Sequence, residues 1–187
     1  MSTAPRSGAF RQRVNIVLTG MFFGMLQWGA FFLLQSYLSS VAIVYLLATT
    51  VWLLGSLVGL AAPGRSRESY WLAVATGCYY LLWVIARADP YDLRLLPLLL
   101  LFIGGSGAYA GRFFRYRGAS VGKSKWLFFA ENCGFVTGMI VTVLALFFAG
   151  ELLLLVAPAV GAVGCLLTLP ASPIDSAARA PGARLEG

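Results

Sequence analysis

The sequence contains no histidine. That absence excludes haem ligation by histidine, histidine-based zinc sites, histidine-dependent serine or cysteine catalysis, and histidine proton relays. Charge is also scarce: Asp, Glu, Lys and Arg make up 11% of the 187 residues, against about 25% in a soluble domain. A chain so poor in charge cannot cover its surface in water, whereas in lipid the shortage is expected. Cysteine is rare too. Cys78, Cys133 and Cys165 all lie inside apolar stretches, and none forms a C-x-x-C pair. They read as small apolar packing residues rather than metal ligands. No metal, cofactor or catalytic set is expected.

What is present is long apolar sequence. Six stretches stand out, over 14–38, 41–62, 70–86, 93–110, 126–149 and 152–169. A helix needs about 20 apolar residues to cross the hydrocarbon core. Lipid offers no partner to backbone groups, and the strand-length alternation of a barrel is missing, so helices are the expected element. The fold class is therefore all-α, a polytopic bundle of six transmembrane helices. The segment 1–13 is polar and basic. The apolar stretch after it is too long for a signal-peptide core and has no clear small-residue cleavage site, so it is expected as a retained first helix. Residues 14–170 form the expected bundle. Residues 171–187 are rich in Ala, Pro, Gly and Ser, have nothing to bury, and are expected to be a disordered tail.

The net charge of +7 would suggest nucleic acid in a soluble protein, but here its distribution points to topology instead. All 14 basic residues except Arg87 and Arg94 fall at the termini or in the loops after the second and fourth stretches. Asp89 and Asp92 balance those two on the other side. Basic loops stay in the cytoplasm, so both termini are expected inside a cell membrane, the inner membrane if the source is bacterial. Trp71 and Trp126 stand where interface anchors would, while Trp28 and Trp52 lie deeper and read as packing residues.

Glycine recurs in Gly-x-x-x-Gly pairs at Gly20/Gly24, Gly55/Gly59, Gly107/Gly111 and Gly134/Gly138. Residues four apart share a helix face, and glycine lets two backbones approach closely, so these pairs are expected at helix contacts. Glu131 lies inside the fifth stretch. A carboxylate at that depth faces a partner or water. It is open whether it binds a cation, proton or amine, or pairs with an arginine such as Arg112. Gln27 and Asn132 are further polar candidates that could line a path with it. The run Arg112, Arg115, Arg117, Lys123 and Lys125, with Phe113, Phe114 and Tyr116 between, could hold anionic lipid headgroups or simply fix topology.

Gly104–Gly111 resembles the serine motif of rhomboid proteases, but without histidine Ser106 has no base. A wider resemblance covers most of the chain. Gly20 followed by Gln27, then Leu54-Gly55-Ser56-Leu57-Val58-Gly59, Gly107 to Arg112, Glu131-Asn132-Cys133-Gly134-Phe135 with Gly138, and Gly164 to Pro170 are similar in spacing to the membrane half of spermidine-synthase-like integral membrane proteins. That family usually has glutamate where Gln27 stands, and it carries a soluble aminopropyltransferase domain that these residues do not supply. The resemblance implies a six-helix unit, similar also to half of a major-facilitator transporter, without aminopropyl transfer.

Three functions stay open at this point. The chain could be a non-catalytic subunit or scaffold docking a separately encoded membrane or soluble protein. It could be a small cation or amine transporter or channel, completed as a homodimer. It could be an enzyme using Glu131, Cys133 or Ser106. The expected surroundings are the lipid bilayer, including anionic lipids, and not nucleic acid.

Overall fold

A computed structural model describes residues 6–35, 41–63, 67–89, 92–121 and 124–169. These residues form six α-helices: α1 Arg6–Gln35, α2 Val41–Ala61, α3 Glu68–Ala88, α4 Leu96–Val121, α5 Ser124–Ala149 and α6 Glu151–Thr168. A single 3-10 turn, Leu93–Leu95, leads into α4. All six helices are long and apolar enough to cross a membrane. The protein is an all-α, multi-pass membrane protein.

The helix ends differ from the apolar stretches in informative ways. The first helix starts at Arg6 rather than near residue 14, and within that extension Arg11 and Arg13 find partners on α6 and α5. The Arg11 Nη2 donates to the Leu167 carbonyl at 2.7 Å, and Arg13 lies 5.4 Å over the Trp126 ring. The fourth helix does not stop at residue 110 but runs to Val121. Arg112 and Arg117 turn inward there, so part of the charge that suggests a loop belongs to the packing. At the other end of α4, the Asp92 side chain accepts from the Arg94 backbone N–H at 2.9 Å and starts the helix. The turn between α5 and α6 is Gly150 alone, with φ of +60°. Only glycine takes that conformation at no steric cost.

The central helix is α1, the most enclosed of the six. It packs chiefly on α5, while α2 packs chiefly on α4. Both pairs run parallel and are built on glycine. A Cβ added to Gly20 would overlap the Glu131 carbonyl, one on Gly24 the Phe135 carbonyl, one on Gly134 the Val17 carbonyl, and one on Gly138 the Met21 carbonyl. In the second pair, Gly55 meets the Gly104 carbonyl and Gly59 that of Ala108. Gly107 in turn meets the Trp52 carbonyl, and Gly111 that of Ser56. Each helix of a pair thus presents small residues to the other's backbone, the arrangement that lets transmembrane helices gain dispersion energy without a hydrophobic drive. Phe22, Phe23, Tyr109 and Phe113 fill the space between the pairs. The Phe23 and Tyr109 ring centroids lie 5.2 Å apart, edge to face.

Candidate functional site

Most of the buried polar side chains gather at one end of the bundle, where α1 and α3 begin and α2, α4 and α6 end. Arg117 of α4 is 5% exposed. Its Nη2 donates to both carboxylate oxygens of Glu68 in the first turn of α3, at 3.1 and 2.8 Å. The same nitrogen donates to the Asn15 Oδ1 at 2.7 Å. The Asn15 Nδ2 then donates to the Cys165 carbonyl at 3.1 Å and the Thr168 hydroxyl at 2.9 Å. The Thr19 hydroxyl donates to the Asn15 carbonyl at 2.8 Å. One connected network therefore ties α1, α3, α4 and α6. The Tyr109 side chain, wholly buried, reaches the same region. A buried ion pair needs further hydrogen bonds to offset its desolvation, and the Asn15 side chain supplies one to the same Nη2.

A second cluster caps α2. Arg112, with 0% exposure, donates to the Ala62 carbonyl and, at 2.9 Å, to the Tyr116 hydroxyl. Its guanidinium lies 5.2 Å over the Trp71 ring and 5.1 Å over that of Tyr116. Arg115 reaches the Ala62 and Leu60 carbonyls. The last carbonyls of α2 have no intrahelical donors, so the two arginines serve as its C-terminal cap and favour its negative end.

These positions revise the roles suggested by the sequence. Arg112 and Arg117 point into the protein and are not available to lipid headgroups, whereas Arg115 and Lys125 are exposed. Lys123 lies outside the described residues. Arg112 does not pair with Glu131. Glu131 is 7% exposed on the face of α5 turned to α1, and its carboxylate makes no hydrogen bond or ion pair among the described residues. Asn132, next to it in sequence, points the other way. It is exposed, and its Nδ2 donates to the Phe128 carbonyl of its own helix at 2.8 Å. Asn132 and Glu131 therefore do not line one path. Gln27 stands apart from both, beside a hollow of about 10 Å³ shared with Trp28, Phe31, Tyr45, Ala48 and Thr49. That is room for one water at most. The Ser106 hydroxyl donates to the Ala75 carbonyl at 3.1 Å and is a packing group.

Sequence reasoning passed over Glu68 and Asn15. A signal existed for each: Glu68 is an acid among the basic residues of its side, and Asn15 is an amide just inside an apolar run. At the opposite end, Arg87 of α3 pairs with Glu151 of α6, both exposed, rather than being balanced only by its sequence neighbours.

No protein-family description, curated protein or solved structure matches this chain.

Proposed function

We propose that the chain is a non-catalytic membrane subunit, a scaffold that docks a separately encoded partner. The observation that carries this reading is the internal use of the ionisable groups at the basic end. Glu68 is held by Arg117, and Arg112 caps α2 and stacks on Trp71. Groups that a transporter would present to a passage are here joined to each other across helices. The aromatic filling between the two glycine-packed pairs supports the same reading. The surface left for a partner is the basic end, where Arg115 and Lys125 are exposed and an acidic face would be complementary.

One observation favours a second reading, a small cation or amine transporter that works as a homodimer. Glu131 is a nearly buried carboxylate with no bonded counter-charge among the described residues, and such groups in membranes mark ion or proton paths.

The two readings separate in proteoliposomes. The scaffold reading expects fluxes of protons and small amines equal to those of empty liposomes. It also expects a stoichiometric partner retained through purification from native membranes, and released by Lys125→Glu. Flux above empty liposomes that is lost in a folded Glu131→Gln variant would establish the transporter reading instead.

A further inference from the structure

We infer that α5 is the contact between two copies of this chain, joined along its outer face with Asn132 at the seam. The face is set by spacing. Phe129, Asn132, Val136, Ile140, Val143 and Phe147 recur at intervals of three and four and are all exposed. That is the spacing by which one helix seats against another along its length. On its far side α5 is fixed to α1, so the seam looks away from the bundle.

The polar member of the seam identifies what covers it. Asn132 lies about 12 Å along the helix from Ser124, and about 9 Å from Trp126, at 1.5 Å per residue. It is therefore at hydrocarbon depth. Its amide offers two N–H donors and an acceptor oxygen. One donor goes to the Phe128 carbonyl, while the second donor and Oδ1 have no partner among the described residues. Lipid tails cannot supply one. Asn132 is also the one exposed amide within the described spans; Asn15 is buried, and Gln12, Gln27 and Gln35 are half-buried. Beyond Glu151 at its first position, the exposed positions of α6, such as Leu152, Val156, Val160 and Val163, are apolar and need only lipid.

A second copy fits this chemistry better than another partner. Two copies with the same topology run parallel in one bilayer, and a two-fold axis along the membrane normal brings each position at the seam to its own copy. An amide is its own complement, donating and accepting at once. The seam carries no Asp, Glu, Lys or Arg, so like charges do not oppose the pairing. A soluble partner cannot reach this depth. This dimer stands whether or not the scaffold reading holds, because it rests on α5 alone.

The chain carries its own probe. Cys133 is exposed beside the seam, whereas Cys165 is buried and Cys78 half-buried. Mild oxidation of native membranes with copper phenanthroline should give a disulfide-linked dimer of the wild-type protein. Cys133→Ser should remove it. Val136→Cys added to Cys133→Ser should restore it, and Val163→Cys in the same background should not. Asn132→Leu should lower the linked fraction about fivefold to tenfold, with Asn132→Gln retaining it and both variants monodisperse in detergent. The inference is overturned if Val136→Cys gives no linked dimer, if Val163→Cys links as well, if Asn132→Leu leaves the linked fraction unchanged, or if Cys133 links to a different protein.

Discussion

The Tyr79 hydroxyl of α3 donates to the Leu154 carbonyl of α6 at 2.8 Å. Leu154 stands four residues before Pro158, which is inside α6 and has no N–H to return. The proline thus frees a carbonyl within an apolar helix, and a tyrosine from another helix takes it. Beside it, the Tyr80 hydroxyl donates to the next carbonyl, that of Leu155, at 2.6 Å. Freed backbone groups in transmembrane helices are tolerated when a neighbour satisfies them, and here the repair also fixes how α3 and α6 meet.

The first prediction follows from that pairing. Tyr79→Phe should lower stability by about 1–2 kcal/mol, the cost of leaving a buried acceptor unmet. In a Pro158→Ala background the helix supplies its own N–H, so the same change should cost much less. Thermal unfolding in detergent of the two single variants and the double variant measures the coupling. Equal costs of Tyr79→Phe in both backgrounds would separate the tyrosine from the proline.

A second prediction concerns Arg117 and Glu68. Removing one member of a buried ion pair costs about 3–5 kcal/mol, because the other is left charged and unpaired. Arg117→Leu should therefore be among the most destabilising changes in the chain. Arg117→Leu with Glu68→Leu should regain at least half of that loss, since no orphan charge remains. Melting temperatures that fall further in the double variant would show that the pair is not coupled as its geometry implies.

Glycines should differ sharply by position. Gly59→Leu should reduce folded yield, because even a Cβ there overlaps the Ala108 carbonyl. Gly77, in the middle of α3, has nothing near an added Cβ. Gly77→Ala should leave yield intact and stabilise by up to about 1 kcal/mol, the helix preference of alanine over glycine. Size-exclusion profiles and thermal melts of both variants decide this, and equal behaviour would count against the close packing of α2 on α4.

Orientation gives the fourth prediction. The basic end of the bundle should face the cytoplasm. A cysteine at Lys125 should react with a membrane-impermeant maleimide only after permeabilisation, and one at Asp92 in intact cells, each in a background without the native cysteines. The reverse pattern would invert the topology.

Much of the architecture was legible along the chain because lipid imposes a one-dimensional rule. A helix must be about 20 residues long and apolar to cross, and such runs can be read without knowing what they touch. The Gly-x-x-x-Gly pairs were visible for a related reason: a spacing of four defines a face. Which glycine faces which was not visible. Nothing local to Gly20 says that its neighbour is the Glu131 carbonyl, or local to Gly55 that it is Gly104.

The sequence by itself determined the solvent of this protein, its helices, and the gathering of basic residues at one end, since each depends on composition over a short window. The tertiary structure alone decided what the charges do. Arg112, Arg115 and Arg117 sit within six residues of one another and look alike in sequence. The turn of α4 sends Arg115 outward and the other two inward. Arg117 then meets Glu68 and Asn15, contributed by helices far away in the chain. The same rotation applied to α5 hides Glu131 and exposes Asn132. Adjacent residues on a helix point about 100° apart, so which of the two faces its own bundle is fixed by packing against α1.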